Sequence, residues 1–412
     1  MKMLRRAMFA VFAACACVIA APSAVQAKTW RIELNADAEG ALRTALAEAQ
    51  PGDSIRLDRG EYQLSAPLSL TATEISIRGE GEDRTILTIA NPGATTPALD
   101  IRGAQIELRD FAILNTPGSG IQAQDCRDLE FRDMRIEWTR GPQAGNGDYG
   151  LAIVNCDNVL INGVVARAAA KAGIYVSGSR NVIVRNASAE FNNVGVRIEN
   201  TNHADLYSNT ITDNAVGVAI ANLPGLSQAD GGAVRVFENH IAGNNTQSFT
   251  PASEIGVAGL SGVGALVMAA RDVHIFGNDF TNNGAVHIYI SAFPGSIEDV
   301  SYNPIARDIM VRDNDFGLVG FEPPALFAPL VQANIRFPDV MWDGADTYFA
   351  GGMPRSIPVR IVMRDNDDER DGIGAFLSLQ LSVPGAPLSE AYPNPAYPPL
   401  VDIEEPERVR LN

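Results

Sequence analysis

The feature that most constrains this chain is a repeat. Gly173, Gly195 and Gly217 stand 22 residues apart, and each is followed by an aliphatic residue, any residue and a second aliphatic: Ile174 and Val176, Val196 and Ile198, Val218 and Ile220. A fixed period in the twenties predicts a solenoid, in which each unit buries its apolar face only against its neighbours. We call this Gly-led segment strand a. It recurs at Gly120-Ile121, Gly150-Leu151, Gly264-Ala265, and Gly284 with Val286. A second segment, strand b, alternates apolar and polar residues and ends in a polar turn. It occurs at 74–79, 105–110, 128–133, 158–163, 181–186, 204–209, 234–239, 273–278, 309–314 and 359–366. A shorter strand c follows it, as at 187–190 and 210–212. Three strands per turn predict an all-β fold, a single-stranded right-handed parallel β-helix of about ten coils of ~22 residues. Its handedness follows from the crossover rule. At about 4.8 Å per stacked strand the rod is expected to be roughly 40–50 Å long.

The rest of the chain serves this rod. Residues 1–27 read as a signal peptide: Lys2, Arg5 and Arg6 precede an apolar run, and Val25-Gln26-Ala27 fits a small-residue cleavage site. This places the protein in the periplasm, the extracellular space or the cell envelope. A lipid anchor at Cys15 or Cys17 is the rival reading, and no later apolar run is long enough to span a membrane. Residues 28–60 form an N-terminal cap, with an amphipathic helix at 41–50 whose Leu42, Ala45, Leu46 and Ala49 share one face. Residues 61–315 form the parallel β-helix, a Pro-rich excursion follows at 316–356, and 357–412 hold the last coil or coils and the tail.

Departures from the period mark insertions. Residues 139–149 and 245–262 precede strand a, while 222–233 and 291–307 follow it. Long loops in a repeat protein gather on the functional face, so the strand a sheet is expected to be the floor of a walled trough. Aligned coils also put Asn155, Gly178, Asn200 and Asn222 in one turn column, where stacked amides are expected, and Cys126, Cys156, Ser179 and Thr201 in the next. Cys126 and Cys156 thus face each other in adjacent coils. The spacing leaves a disulfide and two stacked free thiols both open.

The formal charge is −17, and removing the basic signal peptide makes it more negative. This argues against nucleic acid as a partner, and against a polyanionic glycan unless a local basic patch or bound cations intervene. No Cys/His spacing fits a zinc or haem site, and no cofactor is implied. The one metal candidate is a calcium loop beginning at Asp367, Glu369 and Asp371, but its twelfth position is Ser378 where Glu is needed, so a solvated turn is favoured.

The stretch ALRTALAEAQPGDSIRLDRGEY resembles the entry cap of pectate-lyase-like β-helix proteins, also called pectin-lyase-like. With IEWTRGP, GNGDYG, NCDNVLING, AGIYVSGSRN, NLPGLSQADGGAVRVFENHIAGNN and MAARDVHIFGND, nearly all of the chain after residue 27 resembles a family of bacterial exported parallel β-helix repeat-containing proteins. The resemblance implies export by an ordinary or lipoprotein signal. It also implies a neighbouring gene for a second exported protein, a c-type cytochrome being one form of such a partner. It brings no established activity.

Alternation along strand a points Tyr175, Arg197 and Glu199 outward, and His287 and Tyr289 further along the same face. The loop at 139–149 adds Arg140, Asn146, Asp148 and Tyr149. Aromatic faces with planar polar groups are what a sugar-binding groove needs. A uronate lyase or epimerase would also need a base and a cation for the carboxylate, and Lys171, Tyr175 and Arg197 are the candidates. The plainer reading of Lys171 is a solvated turn residue, and that of Arg197 with Glu199 an exposed surface pair. Clustered aspartates of the glycoside-hydrolase kind are not seen in the sequence. Two functions remain: a protein that binds, and in one version processes, a polysaccharide on the strand a face, with lyase or epimerase chemistry favoured over hydrolysis, and a non-catalytic scaffold for another exported protein.

Overall fold

The structure is a computed structural model that describes residues 27–90, 96–249, 254, 256–368 and 375–379. Its strands stack as parallel neighbours in two long sheets. An 11-stranded sheet runs from Leu68–Leu70 to Phe376–Ser378 and holds all the strand a segments; a 21-stranded sheet holds strands b and c. All ten b segments pair in register with their neighbours. Thr29–Ile32 and Ser54–Leu57 add two further strands at the start of the same sheet, so the capping residues also extend the rod.

Inward residues of every coil meet in one continuous core, built on positions such as Ile174, Val196, Val218, Ala265 and Ile288. The helix Ala38–Glu48 closes the open end and buries Ala38, Leu42, Ala45 and Leu46 against it. The glycines before strand a have a steric cause. A Cβ on Gly195 would lie 2.6 Å from the carbonyl oxygen of Gly217 and 2.7 Å from Ile211. At that corner the backbone of one coil rests on the next, and only hydrogen fits.

Two asparagine ladders run inside the rod. Asn209, Asn239, Asn278, Asn314 and Asn366 form one, and Asn192, Asn214, Asn244 and Asn283 the other, each Nδ2 donating to the next Oδ1 at 2.8–3.0 Å. Neither is the column expected from the sequence. Asn155, Gly178 and Asn200 occupy that column because its backbone is left-handed, with φ of 53°, 59° and 43°. There Asn200 turns to the carbonyls of Leu223 and Gln228 instead of stacking.

Cys126 and Cys156 are buried free thiols in neighbouring coils. Cys156 Sγ accepts the N–H of Cys126 at 3.4 Å, Ser179 Oγ accepts that of Cys156 at 3.0 Å, and Thr201 Oγ1 accepts that of Ser179 at 3.3 Å. In this arrangement the cysteines do the same work as Ser179 and Thr201 in the coils beyond.

The Pro-rich stretch is partly built into the rod. Val340–Trp342 pairs with the strand Val286–Ser291 in the 11-stranded sheet, and Thr347–Ala350 with Met353–Ser356 makes a hairpin. Asp367 pairs with Asp315 in the strand c column. The other two calcium candidates, Glu369 and Asp371, lie outside the described residues, as do the signal peptide through residue 26 and the tail from 380 onward. No helix among the described residues is long and apolar enough to cross a membrane.

Candidate functional site

The outer face of the 11-stranded sheet is not one open trough. From Val194–Glu199 through Val216–Ala221 to Val263–Met268 every residue is buried. The loops fold down over these strands and make a second apolar core outside the rod, with Val257, Leu260, Phe293, Tyr302, Phe327 and Phe337 packed on Ala219, Leu266 and Met341. Tyr302 donates its hydroxyl to the carbonyl of Asn222 at 2.7 Å and so ties the loop at 291–307 to the one at 222–233 on the same side of the sheet. Loops read from the sequence as walls are thus a lid on the C-terminal half of the floor. Tyr289 belongs to this lid region, edge-on to Phe327 at 5.5 Å.

The open part lies toward the N-terminal end. In register along it come Ser69, Asp100, Gln122, Ala152 and Tyr175, with Gln124 and Val154 in the adjoining row. Gln122 and Gln124 share a hydrogen bond of 3.3 Å, and Arg102 reaches Gln124 at 3.2 Å. The open floor ends at a pair of tyrosines. The rings of Tyr149 and Tyr175 stack with centroids 4.3 Å apart and planes within 12°. Ala152, the register partner of Tyr175, carries only a methyl group and leaves room for the Tyr149 ring.

Behind the tyrosines stands a closed charge network. Arg197 is only 4% exposed, and its pairing to Glu199 at 2.8 Å and Glu254 at 3.2 Å takes it out of solvent. This overturns the exposed surface pair expected from the sequence. Tyr175 donates to Glu199 at 3.0 Å, and Lys171 bridges Asp148 at 3.1 Å and Glu254 at 3.0 Å. Burial works against the charge on Lys171, but Glu254 and Asp148 outweigh it and its pKa rises. Arg197 behaves alike, with Glu199 the leading opposing influence. Burial pushes both phenols up, helped by the carboxylates of Glu254 at Tyr149 and Glu199 at Tyr175. At neutral pH the lysine is therefore charged and both tyrosines neutral, so none of the three is poised to accept a proton. The Arg197 Nε–H is buried with no acceptor among the described residues.

The remaining sequence candidates separate. Arg140 is exposed on the loop, and Asn146 holds that loop together through Gly141 and Ala168 carbonyls at 2.9 and 2.6 Å. His287 does not face the groove at all. It is fully buried, because at the corner of strand a it occupies the column that Gly264 and the earlier glycines hold. Its Nδ1 accepts from Asn283 at 3.1 Å and so caps an asparagine ladder, its Nε2 lies 3.2 Å from the Gly317 carbonyl, and the ring stacks on Phe316. No group of three or more His, Cys, Asp or Glu side chains among the described residues could hold a metal ion.

Sequence reasoning missed Glu254, which lies 57 residues from Arg197 and carries no motif. It also missed the outer row of the strand b sheet, although the signal was present. The last outward position of successive b segments reads Arg78, Arg109, Arg132, Asn162, Arg185, Tyr207, Phe237, Phe276, Arg312 and Arg364.

Comparison with known proteins agrees with this architecture. The family model described as "Right handed beta helix region" matches residues 98–250. No curated protein matches the chain by sequence. Among solved structures, the A-module of a mannuronan C-5 epimerase from Azotobacter vinelandii superposes with a TM-score of 0.56 at 15% identity, covering 81% of this chain and 91% of that one. An endo-xylogalacturonan hydrolase from Aspergillus tubingensis gives 0.55 at 13% identity, with coverages of 84% and 95%. A tailspike protein of the E. coli bacteriophage HK620, solved with a pentasaccharide, gives 0.51 at 11%, with coverages of 81% and 58%. At these identities the likeness is one of fold. Coil geometry, the matched region and these superpositions together give the chain the fold of a right-handed parallel β-helix.

Proposed function

We propose that this protein binds a polysaccharide on the open N-terminal half of the strand a sheet and does no chemistry on it there. The observation that carries the reading is the Tyr149–Tyr175 stack closing a floor of amide and small side chains, Gln122, Gln124 and Ser69. Rings supply apolar surface to a pyranose and amides pair with its hydroxyls. Similarity of fold to a mannuronan epimerase, a xylogalacturonan hydrolase and a pentasaccharide-bound tailspike supports a glycan as the ligand class. Against catalysis stands the closed network: Lys171 and Arg197 already hold three carboxylates, Asp148, Glu199 and Glu254. The same excess of carboxylate favours a neutral glycan over a uronate at this site. Export to the cell envelope, from residues 1–27, belongs to the same proposal.

A glycan array probed with the full chain and with Tyr149→Ala tests it. Binding to one class of neutral glycan is expected, and the variant should lose up to about tenfold, corresponding to the ~1.5 kcal/mol upper value for a stacked ring. Undiminished binding by Tyr149→Ala would remove the site. No bound glycan, together with an envelope protein retained from native extract, would favour the scaffold reading. Ultraviolet absorbance at the unsaturated-uronate band should stay flat on uronate polymers, and a rise would restore the lyase.

A further inference from the structure

The strand b sheet carries a row of arginines on its outer face, away from the strand a floor. In register, Arg31 lies beside Arg56, Arg56 beside Arg78, Arg78 beside Arg109 and Arg109 beside Arg132. Successive coils are about 4.8 Å apart, so like charges repeat at that interval and must be relieved. Most are. Asp58 takes Arg31 through both oxygens at 3.0 and 3.1 Å, Asp110 takes Arg78 at 3.2 Å and Arg109 at 2.8 Å, and Glu130 takes Arg132 at 2.7 Å.

Relief fails at one place. The side chains of Arg56, in the row, and Arg84, beside it, have no hydrogen-bond or ion-pair partner among the described residues. Both border a cavity of about 450 Å³ lined also by Arg31, Asp58, Arg78 and Glu80. Four guanidiniums there face two carboxylates, in a chain whose formal charge is −17. This is the local basic patch without which so acidic a protein would repel a polyanion.

We infer that this row is a second binding site, for a linear acidic polysaccharide whose carboxylates pair with arginines of successive coils, one end of the chain lying in the cavity at Arg56 and Arg84. The planar guanidinium fork receives a carboxylate through two parallel hydrogen bonds. The guanidiniums recur once per coil, so a ligand that repeats its carboxylates can meet more than one of them at a time, which a single anion cannot. Arg56 and Arg84 supply the attraction that the self-paired arginines do not, and Asp58, Asp110 and Glu130 hold the neighbouring guanidiniums in place. The site stands apart from the strand a floor, and neither depends on the other.

Calorimetric titration of the full chain with tetragalacturonate, its methyl ester and inorganic phosphate tests the inference. Tetragalacturonate should bind, more weakly as salt is added. The ester and phosphate should each bind about tenfold or more weakly than the acid, since charged hydrogen bonds are lost in one and the repeat in the other. Arg56→Gln with Arg84→Gln should cost about tenfold or more, while Tyr149→Ala should leave this binding unchanged. Both arginines are exposed, and the single Arg84→Gln change gives a milder arm should the double variant misfold. Absent binding, equal binding of the ester or of phosphate alone, or full affinity in the folded arginine variants would overturn the row. Loss in Tyr149→Ala but not in the arginine variants would overturn it too, and would move the ligand to the floor.

Discussion

Single residues in this rod are governed by which way a corner turns. His287 and Tyr289 are two apart on one strand, yet Tyr289 faces the lid and His287 the interior. Simple alternation cannot show this, because the residue in the glycine column turns inward together with the one after it. Another histidine is placed for a measurable consequence. His274 is buried in the strand b sheet beside its register partner Arg235, with Arg312 near by and Asp205 already taken by Arg235. Burial first, then Arg312 and Arg235, push its pKa down to about 4. The unfolded chain, with an ordinary value near 6.5, binds the proton more readily between these limits. Stability is therefore fully present above about pH 6.5 and falls as pH drops toward 4, by about 3 kcal/mol at most. Urea midpoints across that range should fall for the natural chain and flatten by about this amount in His274→Gln. Parallel curves would assign the acid sensitivity to carboxylates instead.

At the scale of elements, the ladders and corners hold each coil to the next. Asn239 donates to the carbonyls of Leu206 at 2.9 Å and Phe237 at 3.0 Å and to Asn278 at 2.9 Å, and accepts from Asn209 at 3.0 and 2.8 Å. Removing the amide orphans several buried groups, each costing about 1–3 kcal/mol. Asn239→Ala should therefore lose about 3 kcal/mol or more in chemical denaturation, against a few tenths for the exposed neighbour Ser208→Ala. A loss under about 1 kcal/mol would mean that water replaces the ladder. The strand b segments were legible because one apolar position alternates with one polar position in each copy. The first ladder was legible in position, since Asn209, Asn239, Asn278, Asn314 and Asn366 each close a strand b segment, but their spacings of 30, 39, 36 and 52 residues follow the loop insertions, so no fixed period marks them.

For the whole molecule the problem is its ends. A stack of coils presents unpaired strand edges and an open core wherever it stops. Helix Ala38–Glu48 covers one end with Leu42, Ala45 and Leu46. A chain that begins at residue 52 should keep the circular dichroism of a β-rod but self-associate through the exposed coil, seen as a rise in light-scattering mass. A monomer of unchanged thermal midpoint would show that the helix is not needed as a cap. The outer face divides at this scale too, into an open N-terminal half and a lidded C-terminal half.

The amino-acid sequence by itself determined the strand a segments, the ten strand b segments, the helical cap and the places where loops leave the rod. These are local properties: apolar alternation, a glycine where coils touch, and a break in period. Only the tertiary structure decided which way the loops fold. Their apolar residues, Val257, Leu260, Phe293 and Phe327, are too scattered to show a period, yet they bury the half of the floor that alternation had left facing water. That burial removed Arg197 from solvent, brought Glu254 to it across 57 residues, and left Tyr149 and Tyr175 at the boundary of the open floor. Burial by a distant segment is a sum over the whole chain, and no local pattern encodes it.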